Sequence, residues 1–181
     1  MTRQEILSSI VETGILPVVR AISAEQALRA AEAIYRGGIT TLEITMTVPG
    51  AIHVMEKVAD RLGDKVLLGA GTVLDGETAR AALLAGAQFL VSPALRTSVI
   101  EVARRYSKPV LPGALTPTEV LAAWEAGADL VKVFPCGSVG GELVEAHALA
   151  TGKLDIIEDN ARKFLDCVRM ARATNSHRAT A

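Results

Sequence analysis

Aromatic residues, cysteines and histidines are scarce in this chain, and each scarcity excludes a class of site. Only 3% of the residues are aromatic although 50% are hydrophobic, so aliphatic side chains must build the core. Two cysteines do not make a disulfide framework. The three histidines, His53, His147 and His177, lie far apart in the sequence. Since they lack the spacing of metal ligands, no zinc site built by the protein is expected.

Charge and long apolar runs are scarce as well. The formal net charge is −1 and no tract is dense in lysine or arginine, which argues against nucleic acid or an acidic membrane surface as a partner. The longest apolar runs have the length of strands, so no membrane span is expected. No apolar region follows residues 1–5, which predicts that there is no signal peptide. These features favour a cytoplasmic protein.

The chain instead contains a regular alternation of β-branched runs and alanine-rich stretches, and its 181 residues suit one domain. Predicted strands cover residues 15–20, 41–45, 66–69, 89–92, 110–111 and 130–133. Predicted helices between them cover residues 24–36, 49–61, 75–85, 97–105 and 116–126. The strands begin 20 to 26 residues apart, so the pattern is a repeated βα unit, which implies a parallel sheet.

Polar residues at alternate positions of these strands decide between two parallel folds. Glu43 and Thr45 alternate in one strand, and Lys132 lies within another. A doubly wound sheet buries both faces in apolar side chains, whereas a barrel interior opens at the carboxyl ends of the strands. The sequence therefore predicts a (β/α)8 TIM-barrel type fold over residues 1–173, of which only six βα units are visible. Helical segments at 142–150 and 155–173 and a polar, frayed tail at 174–181 complete the prediction.

Lys132 is the most informative residue, because it lies in the apolar segment DLVKVFP, residues 129–135. Lysine is rarely buried without a function or a partner. A desolvated amine becomes nucleophilic near neutral pH and can form a Schiff base with a carbonyl substrate. If Val131 and Val133 pack on the surrounding helices, Lys132 and Phe134 face the barrel interior.

Other polar residues are predicted at the same end of the sheet. Glu43 faces inward, and Arg20 ends the first strand. Thr72 follows Gly-Ala-Gly, where small residues let a ligand approach the backbone, and Pro93 follows the fourth strand. This set suits Schiff-base chemistry on a 2-keto acid. Lys132 would attack the keto carbon and Glu43 would move protons, while Arg20 and Thr72 would hold the carboxylate.

Each of these residues also allows a purely structural interpretation. Lys132 can pair with a carboxylate, and Glu43 can be that ion-pair partner. Arg20 fits an ordinary position at the rim of a barrel, and glycine-rich turns such as the one before Thr72 are common in α/β proteins. The residues alone leave these alternatives open.

Six short segments, taken in order, resemble one family. They are ILPVVR, LEITMT, GAGTV, VSP, LPG and VKVFP, at residues 15–20, 42–47, 69–73, 91–93, 111–113 and 131–135. In this order and spacing they resemble the class I 2-keto-3-deoxy-6-phosphogluconate (KDPG) and 4-hydroxy-2-oxoglutarate (KHG) aldolases. The resemblance is continuous over residues 1–141.

The resemblance implies a role for each residue. Lys132 would be the Schiff-base lysine and Glu43 the acid and base, while Thr72, Pro93 and Phe134 would line the pyruvate pocket. Arg20 would bind the carboxylate, since Thr47 stands where some members have an arginine. It further implies a homotrimer of (β/α)8 barrels in the cytoplasm, without metal or cofactor, that cleaves KDPG or KHG to pyruvate and an aldehyde.

The resemblance is interrupted between Gly141 and Glu142. Family members have two further βα units there, whose glycine-rich turns bind the substrate phosphate. Two explanations are open: the sequence is an excerpt of a longer molecule, or the protein carries an internal deletion. The interruption adds weight to the non-phosphorylated substrate and to an inactive scaffold or assembly subunit. A phosphate-sugar isomerase that uses Glu43 as its base is a further alternative.

Overall fold

The computed structural model describes residues 1–135 and 151–178. Its helices are α1 (Arg3–Thr13), α2 (Ala24–Arg36), α3 (Ala51–Leu62), α4 (Gly76–Leu84), α5 (Thr97–Arg105), α6 (Pro117–Glu125) and α7 (Leu154–Arg178). Its strands are β1 (Val18–Val19), β2 (Thr41–Thr45), β3 (Leu67–Gly71), β4 (Phe89–Val91), β5 (Val110–Leu111), β6 (Gly113–Ala114) and β7 (Lys132–Val133). A short 3-10 helix, Gly63–Lys65, joins α3 to β3.

The strands are all parallel and follow one another in sequence order. β1 to β5 form one sheet, and β6 pairs with β7 in a second ladder. Only Pro112 separates β5 from β6, and the Pro112 carbonyl accepts a hydrogen bond from the Lys132 amide at 2.9 Å. The two ladders therefore occupy six successive strand positions, which confirms the six predicted strands.

Local signals in the sequence explain where the helices begin. Ser23, Asp75 and Thr116 are N-caps that accept hydrogen bonds from the amides of Gln26, Thr78 and Glu119. Such caps satisfy amides that have no partner within the helix. The observed α2 and α5 match the predicted ranges, and the other predicted helices between strands differ by one or two residues at their ends.

Alternate strand residues supply two separate cores. Leu42 and Ile44 of β2 belong to the larger cluster, between the sheet and the helices. The smaller cluster lies on the other face of the sheet, where Phe89 and Leu111 pack with other apolar side chains. Glu43 and Thr45 share that inner face, because side chains alternate along a strand.

Helix α1 covers one end of this inner cluster, and none of the patterns above predicts it. Ile6 and Ile10 of α1 are buried against the strand residues, and Arg3 forms an ion pair of 2.7 Å with Asp129. Thr2 and Glu5 form a capping box at its start. Two signals in the sequence identify such a helix. One is the motif Thr-x-x-Glu at its start, and the other is the pair of isoleucines four residues apart that follows.

Helix α7 packs on α2 at a point where only glycine fits. A Cβ atom on Gly37 would lie 2.4 Å from the Cβ of Ala161, and Arg36 pairs with Glu158 at 2.5 Å. α7 continues to Arg178 and so includes the first residues of the predicted polar tail. No helix in the described ranges is long and apolar enough to cross a membrane.

The sheet is open at both edges as far as residues 1–135 and 151–178 show. β1 pairs only with β2, and β7 only with β6. Val133 of β7 is 58% exposed among the described residues, so no described helix covers it. The predicted helix at 142–150 and the junction between Gly141 and Glu142 lie outside the described residues.

Candidate active site

The centre of the site is a lysine and a glutamate that meet inside the curved sheet. Lys132 on β7 and Glu43 on β2 are 89 residues apart in sequence, yet Lys132 Nζ donates a hydrogen bond to Glu43 Oε1 at 3.3 Å. The Glu43 side chain is 1% exposed and that of Lys132 is 26% exposed. The pair therefore joins a sequestered carboxylate to an amine that solvent can reach.

Burial governs the charge of Glu43. It raises the pKa of the Glu43 carboxyl above its ordinary value, while the nearby Lys132 and, more weakly, Arg20 act to lower it. The Oε2 atom of Glu43 is buried and has no hydrogen-bond partner among the described residues. Because an unpaired buried oxygen is costly in the ionised state, Glu43 takes up a proton more readily than a free carboxyl group does.

Two glycines of β3 make room for inward side chains. A Cβ atom on Gly71 would lie 2.8 Å from Glu43 Oε1, and one on Gly69 would lie 2.2 Å from the Phe89 ring. The glycines were predicted to let a ligand approach, but the protein's own Glu43 and Phe89 occupy the space beside them. Gly71 thus belongs to the site because it leaves room for Glu43, a role that the sequence pattern does not identify.

Phe134 lies beside the lysine. The Nζ atom of Lys132 is 5.4 Å from the centroid of the Phe134 ring, within the range of a cation–π contact. Phe134 is half-buried, so one side of the amine is lined by an apolar surface.

Thr72 and Pro93 occupy the ends of the neighbouring strands. Thr72 follows β3 with a φ of 60°, which costs a β-branched residue roughly 1–3 kcal/mol and is typical of functional sites. Pro93 follows β4, and its carbonyl lies so close to Gly113 that a Cβ there would be 2.2 Å away. Both residues are half-buried.

Arg20 follows β1 and is exposed. Its guanidinium forms no hydrogen bond or ion pair with another described residue, although its charge reaches Glu43. The structure therefore brings Lys132, Glu43 and Phe134 into contact, with Arg20 within electrostatic reach of Glu43. Thr72 and Pro93 lie just beyond the ends of β3 and β4, the two strands between β2 and β5.

Thr45 and Thr47 are further polar residues at this end of β2, and neither was predicted to have a role in the site. Thr45 Oγ1 donates to the Val19 carbonyl at 3.1 Å and lies 2.8 Å from Thr47 Oγ1. The alternation of residues 41, 43 and 45 along β2 is the signal that identifies Thr45 as inward-facing.

No group of three or more histidine, cysteine, aspartate or glutamate side chains in the described ranges is placed so that it could hold a metal ion. The described site offers one amine, one buried carboxyl group and a nearby guanidinium. An amine beside a proton acceptor can attack a carbonyl group, and a carboxyl of raised pKa can exchange protons with the product.

The chain matches a family model, "KDPG and KHG aldolase", over residues 6–157. It is 37% identical over 136 residues to the 2-dehydro-3-deoxy-phosphogluconate aldolase of Treponema pallidum, a match that covers 75% of this chain and 64% of that protein. It is 35% identical over 132 residues to the 2-dehydro-3-deoxy-6-phosphogalactonate aldolase of Escherichia coli K12, covering 73% of this chain. That match also spans 64% of the E. coli protein, so the chain spans just under two-thirds of each relative.

Solved structures have a similar fold. One described as native KDPGal matches with a TM-score of 0.75 and 26% identity, over 87% of this chain and 95% of that one. KDPG aldolase from Legionella pneumophila matches with a TM-score of 0.74 and 23% identity, over 82% and 92%. A porous cage designed by fusing symmetric oligomeric domains matches with a TM-score of 0.77 and 26% identity, over 91% and 75%. These neighbours confirm the predicted TIM-barrel type of fold.

Proposed function

Because the chain belongs to the KDPG and KHG aldolase family, we propose that it is a Schiff-base aldolase that cleaves a 4-hydroxy-2-keto acid. KDPG would give pyruvate and glyceraldehyde 3-phosphate, and 4-hydroxy-2-oxoglutarate would give pyruvate and glyoxylate. One observation carries this proposal: the amine of Lys132 lies 3.3 Å from a carboxylate that is 1% exposed. An amine and a sequestered proton carrier are the two groups that an imine mechanism requires.

The first step forms the imine. Lys132 Nζ must be neutral to attack, and its proton can pass to Glu43 Oε1, since burial makes that carboxyl a better proton acceptor by raising its pKa. The amine adds to C2 of the keto acid to form a carbinolamine. Protonated Glu43 gives its proton to the carbinolamine hydroxyl, which leaves as water, and Glu43 is ionised again. The product is a protonated imine that draws electrons from the neighbouring carbons.

The second step breaks the C3–C4 bond. Ionised Glu43 takes the proton of the C4 hydroxyl, the aldehyde forms, and the electron pair of the broken bond moves through C2 to the imine nitrogen. Glu43 then returns the proton to C3 of the enamine. Water adds to C2, Lys132 leaves, and pyruvate is released.

Four other residues are proposed to hold the substrate. Arg20, whose guanidinium has no partner among the described residues, supplies a positive charge for the carboxylate. The Thr72 hydroxyl lies at a strained turn of the kind found in functional sites. Pro93 and Phe134 line the methylene side of the pocket, which the contact between Phe134 and Lys132 supports.

The choice between the two substrates is testable because only one carries a phosphate. Family members bind the substrate phosphate in the turns of two βα units that have no counterpart between Gly141 and Glu142 of this sequence. We therefore propose 4-hydroxy-2-oxoglutarate as the preferred substrate of this chain. A coupled assay of pyruvate release compares the two, and a KDPG activity more than tenfold higher would contradict this preference.

Borohydride trapping tests the proposed reaction. Incubation with pyruvate and sodium borohydride should add one reduced pyruvyl group per chain, and peptide mapping should place it on Lys132. Lys132→Met should abolish the mass increment. Lys108→Met is the matched control and should retain it, because the Lys108 amine binds Gln88 instead.

A folded protein that gains no mass at Lys132 would contradict the aldolase and favour a scaffold or assembly subunit. A phosphate-sugar isomerase would convert its substrate in the Lys132→Met variant and lose activity in Glu43→Gln. The three functions thus give different results with the same two variants.

We also propose that the chain self-associates, with the homotrimer as the expected assembly. Exposed apolar side chains on α6, including Trp124 at 63% exposure, support this. The cage that matches this fold is described as a fusion of symmetric oligomeric domains. The cytoplasmic location expected from the sequence stays a prediction.

A further inference from the structure

Thr45 ties the end of β2 to the end of β1. Its side chain is fully buried, and its hydroxyl donates to the Val19 carbonyl at 3.1 Å. Because the single hydroxyl proton of Thr45 is used there, the 2.8 Å contact with Thr47 requires Thr47 to be the donor. The result is a short chain of hydrogen bonds from Thr47 through Thr45 to Val19.

The Val19 carbonyl belongs to the peptide group that leads directly into Arg20. β1 is only two residues long, and β2 is its one strand neighbour in the described ranges. The Arg20 guanidinium has no side-chain partner among those residues, so its position depends on the backbone that carries it. A hydroxyl that fixes the last carbonyl of β1 therefore limits where this guanidinium can reach.

We propose that Thr45 is a positioning residue that holds Arg20 where it can bind the substrate carboxylate. The inference rests on the proposed function, because the carboxylate is that of the 2-keto acid. Thr45 acts through the Val19 carbonyl and does not touch the substrate. Loss of its hydroxyl should weaken binding of the keto acid and leave the chemistry of Lys132 intact.

The chain offers a matched control for the structural role of this bond. Thr41 is 1% exposed, lies on the same face of β2, and donates to the Ile15 carbonyl at 2.7 Å. Both bonds join residues 26 apart and tie β2 to the segment before or within β1. Thr41→Val thus removes the same chemical group from the opposite end of the strand, away from Arg20.

The test measures how borohydride trapping of pyruvate depends on pyruvate concentration. Thr45→Val should raise the half-saturating concentration about three- to tenfold, as expected for one hydrogen bond, with the same trapped fraction at saturation. Thr45→Ser, which restores the hydroxyl, and Thr41→Val should both behave as wild type. Arg20→Gln should show the larger shift, and Thr45→Val should add nothing to it.

Two outcomes would overturn the inference. If Thr41→Val shifts the curve as much as Thr45→Val, the hydroxyls merely anchor β1. If the effects of Thr45→Val and Arg20→Gln multiply in the double variant, Thr45 does not act through Arg20.

A second measurement separates this inference from the proposed function. The carboxyl carbon of Glu43, assigned with Glu43→Gln, can be titrated by ¹³C NMR in the absence of any substrate. Arg20→Gln and Thr45→Val should both raise the pKa of Glu43, whereas Thr41→Val should not. An unchanged titration in Thr45→Val overturns the positioning role, even if wild type forms no imine.

Discussion

Glu43 is the residue on which burial and charge act in opposite directions. Its side chain is 1% exposed and paired with Lys132, yet burial outweighs the positive charges and raises its pKa. Desolvation exceeds the attraction because one contact of 3.3 Å leaves the second oxygen without a partner among the described residues. A carboxyl whose pKa is raised in this way takes up a proton more readily than a free carboxyl group, which suits the proposed proton transfer to carbon.

Glu43→Gln should separate imine formation from proton transfer. Glutamine keeps the size of the side chain but cannot accept a proton, so exchange of the pyruvate methyl protons with deuterium should slow by about 10²-fold or more. Proton NMR of pyruvate in D₂O measures this exchange. Borohydride trapping at Lys132 should still reach completion, but more slowly, because another base must take the Lys132 proton. Wild-type exchange rates in the variant would show that another group carries the proton.

The raised pKa of Glu43 also predicts how stability depends on pH. The folded state holds the Glu43 proton at pH values where the unfolded chain has lost it, so wild type should lose stability as pH rises above the ordinary carboxyl pKa. Relative to Glu43→Gln, the loss should be at most about 1.4 kcal/mol per pH unit.

Urea unfolding of both proteins measures the difference in stability. The pH should run from about 4 to about 7, which covers the usual range of carboxyl titration. The helix caps Asp75 and Glu119, whose pKa values are lowered by hydrogen bonds to backbone amides, affect both proteins equally. A difference that stays constant with pH, or one that grows in favour of wild type, would contradict the prediction.

At the scale of elements, α1 shows how tertiary contacts stabilise a segment that carries weak local signals. Apolar and polar side chains are only weakly separated around α1, whose buried residues are Ile6 and Ile10. These two side chains complete the inner cluster on which the strands pack. Packing on the sheet therefore contributes more to this helix than propensity does.

Ile6→Ala should lower the free energy of unfolding by about 2–4 kcal/mol, because it leaves a cavity in the inner cluster. Val11→Ala in the same helix is the matched control, since Val11 is 58% exposed, and should change stability by about 0.5 kcal/mol or less. Urea denaturation followed by circular dichroism measures both. Equal effects of the two substitutions would show that α1 does not cover the inner cluster.

At the scale of the whole molecule, the open edges of the sheet and an apolar face at α6 are both surfaces that the described residues leave uncovered. We define the α6 face as Leu115, Val120, Leu121 and Trp124, which are between 38% and 63% exposed. β7, next along the chain, has one strand neighbour in the described part and an exposed Val133. Apolar surfaces of this kind on a parallel αβ protein are usually covered.

The single tryptophan makes self-association measurable. If a second copy covers the α6 face, Trp124 emission should shift to the blue as protein concentration rises, together with the sedimentation coefficient. Leu121→Glu should suppress both changes, because it places a charge in the apolar contact. A monomer with unshifted emission across the micromolar range would contradict this prediction.

Particular residues show why the site could be predicted only in part. Inward orientation of Glu43 and Lys132 follows from alternation along their strands, and the positions of α2 and α5 follow from caps and periodicity. The role of Gly71 could not be predicted, because it depends on the carboxylate of a different strand. The bond from Thr45 to Val19 likewise depends on the register between β1 and β2.

By itself, the sequence determined the order of the βα units, the inward face of each strand and the chemical types of the groups at the strand ends. These properties depend on period and composition, which are local to each segment. Only the tertiary structure decided that Lys132 and Glu43, 89 residues apart, meet at 3.3 Å, and that burial raises the pKa of Glu43. The curvature of the sheet and the packing of its inner face set that distance and exclude water, and neither is a property of any one segment.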